Sequence, residues 1–283
     1  MTTTIPSPTT VLPDRRLVRH YRQSFGRVLR FEWIKFRTLR ASWAGQLLLM
    51  ALLIGFAALA SAISNNRMGQ APDRHGPFAG VGPVATVLTG ANIGVLVVGV
   101  LGCVLGAREY GSRMIASTVA AVPRRWQVVV GKALVLTGVL VVTTLVGVFG
   151  AFFLGMSVLH SGGNQTAALG DPGVLRQVLG MAGYLTAVGL LGMGLGVLLR
   201  SVAGSIGVLI AGLLVLPGLA GALLPTSWDP ALKYLPSSAA AAFTTVERAG
   251  TDVLGVGAGV AVLVAWVLAV LVGAVVAISR RDV

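Results

Sequence analysis

The acidic, histidine and cysteine side chains from which active sites are built are sparse in this sequence: nine Asp+Glu, three His and one Cys among 283 residues. Cys103 alone can form neither an intrachain disulfide nor a cysteine metal cluster, and the histidines are scattered without ligand spacing. No paired acids, no His-Glu-x-x-His and no Gly-x-Ser-x-Gly elbow occur. Gly131-Lys132 is the nearest approach to a phosphate-binding loop. It lacks the upstream glycine spacing, and Ala133 stands where a magnesium-binding hydroxyl is needed. The expectation is a chain that is not an enzyme, with no catalytic, cofactor or metal residue of its own. What polar chemistry there is sits in three places: a charged stretch from Arg108 to Lys132, a lone Glu32 in an apolar helical face, and uncharged Gln46, Asn92, Thr143 and Thr144 inside apolar runs.

The elements that must position these groups are membrane spans. Apolar residues make up 55% of the chain and charged residues 11%, against about 25% charge in a soluble domain, and the mean hydropathy is +0.86. Six runs free of Asp, Glu, Lys and Arg cover residues 43–63, 84–107, 133–159, 178–199, 202–224 and 253–278. Each reaches the roughly 20 residues a helix needs to cross a hydrocarbon core of about 30 Å, and helices rather than barrel strands follow from that length. The predicted class is an all-α integral membrane protein whose transmembrane domain fills residues 43–283.

Orientation follows from the loops. Seventeen of the 22 Lys+Arg fall in the N-terminal segment, the second loop, Arg200 and the C-terminal tail, and five in the other loops. After subtracting acids, the two sides carry +13 and 0. By the positive-inside rule both termini are cytoplasmic, in a multi-pass protein of the cytoplasmic membrane. The net charge of +13 is therefore a topology signal reinforced by anionic headgroups, with no soluble basic domain to bind nucleic acid. Ala58-Leu59-Ala60 and Ala60-Ser61-Ala62 mimic a signal cleavage site, but the 42 residues ahead of the first run and the five runs after it argue against a secretory leader.

Residues 1–24, rich in Thr, Pro and Arg, read as a disordered basic tail. Over residues 25–42, at 100° per residue, Phe25, Val28, Leu29, Trp33, Phe36 and Leu39 share a face opposite Arg27, Arg30 and Arg37, which predicts an amphipathic interfacial helix. Glu32 lies inside the apolar face. It has two candidate partners: an Arg of a neighbouring helix or subunit, or Lys35 in a local i to i+3 pair. In the loop spanning residues 108–132, Ser112 can cap a short helix that Pro123 ends. Exposed Met114, Ile115 and Val119 on that helix need covering by the membrane interface or by another protein.

Glu109-Tyr110-Gly111-Ser112-Arg113-Met114-Ile115, then Val122-Pro123-Arg124-Arg125 and Gly131-Lys132, resemble the first cytoplasmic loop of type-2 ATP-binding-cassette export permeases. The lead-in Phe31-Glu32-Trp33-Ile34-Lys35-Phe36-Arg37 is similar to the connecting helix of actinobacterial-type members. The likeness extends over nearly the whole chain. Where the family has Gly-Thr after the acid, this chain has Gly111-Ser112 with shifted spacing. The resemblance implies that residues 112–122 form a coupling helix seated on a separate ATPase subunit, which alone binds ATP and magnesium. Contacts with that subunit would come from Glu109, Tyr110, Ser112, Arg113, Met114, Ile115, Val119, Pro123, Arg124 and Arg125. It further implies pairing with a second permease half, identical or paralogous, and export of a hydrophobic or amphipathic substrate such as a drug, lipid or peptide.

The outer connection over residues 225–252 is long for a plain loop. Asp229-Pro230 can start a helix, Pro236 interrupts it, and residues 237–247 can form a second. On the resemblance this hairpin dips toward the outer leaflet; without it, the same residues describe a surface hairpin. Gly90-x-x-x-Gly94, Gly102-x-x-x-Gly106 and Gly192-x-x-x-Gly196 permit close helix contact, within the chain or between copies. Gln46, Asn92, Thr143 and Thr144 either line a pathway or bond to neighbouring backbone. The spans lack ionisable groups, which disfavours an ion-driven carrier; a non-transporting scaffold or immunity protein is the alternative class.

Overall fold

A computed structural model describes residues 24–67, 82–111, 125–245 and 254–280. The described residues form an all-helical bundle: α1 (Phe25–Thr38), α2 (Arg40–Arg67), α3 (Pro83–Val87), α4 (Gly90–Gly111), α5 (Trp126–Ser161), α6 (Val174–Leu199), α7 (Val202–Ile210), α8 (Leu216–Leu223), α9 (Asp229–Leu232), α10 (Pro236–Thr244) and α11 (Val256–Arg280). Six stretches are long and apolar enough to cross a membrane: α2, α4, α5, α6, α7 with α8, and α11. They coincide with the six apolar runs, because a run without charge in lipid must satisfy every backbone group internally.

Three of the spans depart from a plain helix. The run over residues 84–107 is broken: α3 ends at Val87, Leu88 and Thr89 turn, and α4 starts at Gly90. The Thr89 hydroxyl donates back to the Ala85 carbonyl at 3.1 Å, and Gly90 packs so closely on α2 that an added Cβ would stand 2.9 Å from the Leu53 carbonyl oxygen. α5 has 36 residues, about 54 Å at 1.5 Å per residue, so it overshoots the bilayer core and carries the end of the second loop, including Lys132, as helix. In the fifth span the irregularity precedes Pro217. Ala211–Val215 forms a π-helical turn, and Leu216 N–H donates to the Ala211 carbonyl. Proline has no N–H to return to the preceding turn, so the ladder widens there.

α6 is the central helix: 67% of its most apolar window is buried, against 17% for the fifth span and 22% for α11. It runs parallel to α4 with glycine against glycine. A Cβ at Gly102 would meet the Gly189 carbonyl and stand 2.9 Å from Met193 N; one at Gly196 would stand 2.6 Å from the Cys103 carbonyl. Gly90 and Gly94 give α4 the same closeness to Leu53 of α2. All three small-residue pairs are thus occupied within the chain.

α9 and α10 form a docked hairpin. Leu235 is the extended residue before α10 and Pro236 its first helical position. Pro236 therefore starts the second helix, as its fixed φ and missing N–H favour. The helix closes at Thr244 because Thr245 turns extended, short of the predicted end at Glu247; residues 246 and 247 lie outside the described residues. Ala239, Ala242 and Phe243 face α6 and α11, where a Cβ at Gly259 would be 2.5 Å from Ala239 O and one at Gly180 2.7 Å from Phe243 O. Trp266 Nε1 donates to Tyr234 O at 2.9 Å. Trp266 is ten residues along α11 from Val256, so the hairpin tip reaches about 15 Å down that helix.

Candidate functional site

α1 packs lengthwise against the first turns of α5. Its buried stripe is Val28, Glu32 and Phe36, an i, i+4, i+8 line with a carboxylate in the middle. Gly131 of α5 makes room for it: an added Cβ would lie 3.2 Å from Val28 Cγ1 and 3.9 Å from Glu32 Cγ. Phe25 stacks on Trp126 with ring centroids 6.2 Å apart. The helix ends where Leu39 turns extended. Trp43 from α2 ties across the break, donating Nε1–H to the Arg37 carbonyl at 3.1 Å and meeting Phe36 edge-on. Trp33, by contrast, points outward and is 42% exposed.

Among the described residues Glu32 pairs with neither an Arg nor Lys35. Its Oε2 lies 3.3 Å from Lys132 Nζ on α5. Lys132 also contacts Glu109 Oε1 at the end of α4, and Lys35 Nζ reaches the same Glu109 oxygen at 2.6 Å. The side chains of Glu32 and Glu109 are only 4% and 6% exposed. Two carboxylates and two ammonium groups thus form a buried cluster of zero net formal charge that ties α1, α4 and α5 together. A buried charge survives when it is paired, and Glu32 is tolerated on an apolar face for that reason. A cavity of about 40 Å³ adjoins the cluster, bounded by Phe36, Leu39, Ser42, Leu105 and Leu136.

The cluster sits at the root of the second loop. At the α4 side of that loop, the Arg200 guanidinium lies 5.2 Å from the centre of the Tyr110 ring. Arg200 is held there in a left-handed conformation, φ 53°, that closes α6 onto α7. At the α5 side, Arg125 Nη1 donates to the Ile278 carbonyl near the end of α11 at 3.4 Å. Val129, Val197, Ala274 and Ile278 pack as a small apolar cluster beside it. Both ends of the loop therefore rise from helices fastened to their neighbours. Ser112, Arg113, Met114, Ile115, Val119, Pro123 and Arg124 lie outside the described residues, as do residues 1–23 of the tail.

The polar residues within the spans pair across helices. Thr143 donates to Gln46 Oε1 at 2.9 Å, joining α5 to α2. Thr144 is 3.1 Å from the Thr186 hydroxyl and donates to Ala182 O at 3.2 Å, joining α5 to α6. Asn92 is exposed near the start of α4 and is not brought to the other three. Among the described residues no group of His, Cys, Asp and Glu is placed to hold a metal ion.

The sequence signal for the cluster was the misplaced Glu32; its partner Lys132, a hundred residues away, carried no mark of the pairing. The fold and the site together define a multi-pass helical membrane protein with a buried charge clamp at one end. No family model matches the chain, and no curated protein does.

Proposed function

We propose that this chain is the membrane-spanning subunit of an ATP-binding-cassette exporter of the type-2 class, in the cytoplasmic membrane with both termini inside. The observation that carries the reading is the clamp at the root of the second loop: Glu109 and Lys132, on the two helices that bear the loop, pair with each other, and Lys132 pairs with Glu32 of α1 as well. Supporting it are the six spans, the docked hairpin at the far end and the sequence resemblance of the loop. ATP and magnesium belong to a partner ATPase that grips residues 112–124. Closure of two such ATPases pulls on the loop, and the clamp makes α1, α4 and α5 answer as one body, so that two permease halves rock about their shared interface. The apolar interior suits a hydrophobic or amphipathic substrate.

The test is the combined variant Arg113→Glu, Met114→Ser and Ile115→Ser, chosen to remove the grip without touching a span. It is expected to insert in the membrane as the parent does and to lose at least about 90% of the co-purifying ATPase, since each 1.4 kcal/mol of lost contact is a factor of ten. Undiminished co-purification contradicts the coupling role of the loop.

A further inference from the structure

At the hairpin end of the bundle an apolar groove of about 520 Å³ opens between α6 and α11, closed at one side by Phe243 of α10. Leu179, Gly183 and Ala187 line one wall and Val260, Val264 and Leu268 the other. From Arg176 at its mouth to Leu190 at its foot it follows α6 for fourteen residues, about 21 Å, which exceeds the roughly 15 Å depth of one leaflet's hydrocarbon. The width is set by glycine: nothing lies within 4 Å of a Cβ built on Gly183.

Among the described residues, the mouth carries the only charged side chain that lines the groove, Arg176. Arg176 sits in the first turn of α6, with Nη2 donating to the Thr245 carbonyl at 3.2 Å. Its Nε is buried without a hydrogen-bond partner, and among the described residues it takes part in no ion pair. Asp171, the nearest acid in the sequence, accepts instead from Ala168 N at 2.8 Å. A guanidinium without an ion pair among the described residues stands at the mouth of a slot one acyl chain deep, at the first turn of a membrane span.

We propose that this groove holds one anionic phospholipid, its phosphate on Arg176 and an acyl chain between α6 and α11. A zwitterionic lipid would fill the slot too, but its headgroup cation offsets its phosphate, so a lipid of net negative charge answers the guanidinium better. The occupant is a lipid that stays with the protein, beside Phe243 of α10. The site is independent of any ATPase, so its failure would leave the permease reading untouched.

The experiment is native mass spectrometry of the full chain released from nanodiscs of phosphatidylglycerol mixed equally with phosphatidylcholine. The parent is expected to retain one lipid per chain with roughly fivefold preference for phosphatidylglycerol, the contribution of one arginine near a membrane surface. Arg176→Gln should retain lipid without headgroup preference. Gly183→Leu, whose side chain projects into the slot, should reduce retention of either lipid roughly tenfold, since displacing two methylenes already costs that much. Unchanged melting temperature of both variants separates lost binding from lost fold. Equal retention by Gly183→Leu and the parent overturns the proposal. So does loss of self-association by Gly183→Leu with lipid retention intact, which would make the groove a contact between copies of this chain.

Discussion

Replacing Lys132 by methionine is expected to destabilise the folded chain by about 3–5 kcal/mol, the cost of removing one partner from a buried ionic cluster. Glu32 and Glu109 would be left in a site where they are 4% and 6% exposed, with Lys35, the most exposed of the four side chains at 21%, as the remaining cation. Two carboxylates facing each other in low dielectric repel strongly, and the cheapest relief is for α1 to lift from α5. The variant in detergent should melt at a markedly lower temperature. Trypsin should cut it at Arg27 and Arg30, on α1, under conditions where the parent resists. Adding Glu109→Gln to Lys132→Met should recover part of the loss, because one orphaned charge leaves with its partner and the two substitutions share a network. Melting of Lys132→Met at the parent's temperature would mean that the cluster is solvated and does not clamp the helices.

Gly192→Val is expected to be among the most damaging substitutions outside that cluster. The new Cβ would overlap the Gly99 carbonyl oxygen and stand 3.1 Å from Cys103 N. Both are backbone atoms, which no rotamer change can move aside. Overpacking in a core costs typically 1–3 kcal/mol when side chains can shift, so a backbone collision at the α4–α6 contact should exceed about 3 kcal/mol and prevent accumulation of folded protein. Gly138→Val, on α5 with nothing within 4 Å of its added Cβ, is the matched control and should express normally. Equal yields of the two, measured by size-exclusion chromatography, would contradict the glycine-on-glycine packing.

These two sites differ in how far the sequence announces them. The glycine pairs were visible as spacings, and the six spans as uninterrupted apolar runs, since the bilayer imposes a length and a composition on every crossing helix. The turn at Leu88 and Thr89 was hidden because residues 84–87 are as apolar as the helix after them; it coincides with the close approach of Gly90 to Leu53 on α2, a tertiary contact with no local mark. The π-helical turn is half legible: a proline at 217 inside an apolar run marks a helix distortion, while its placement at Ala211–Val215 depends on where the ladder can widen. Glu32 was legible as an anomaly. Its pairing with Lys132 joins residues a hundred positions apart, and Lys35, the local candidate, is drawn away to Glu109.

The same geometry explains why the second loop is the natural handle on this molecule. Glu109 and Lys132 sit on the two helices that carry the loop, and the pairs Lys132–Glu32 and Lys35–Glu109 fasten both to α1, so that on the proposed reading a pull on residues 112–122 reaches α1 as well. Arg125 and Tyr110 extend that connection to α11 and to the α6–α7 corner. On the proposed reading this loop is driven by a partner, and no Gly-x-x-x-x-Gly-Lys-Ser/Thr run occurs in the sequence. The most direct measurement is therefore to tag the chain, solubilise it gently from its native membrane and identify the proteins recovered in stoichiometric amount. Recovery of an ATPase bearing a Gly-x-x-x-x-Gly-Lys-Ser/Thr phosphate loop is the predicted result. Recovery of the chain alone, under conditions that keep a reference transporter complex whole, would contradict the account.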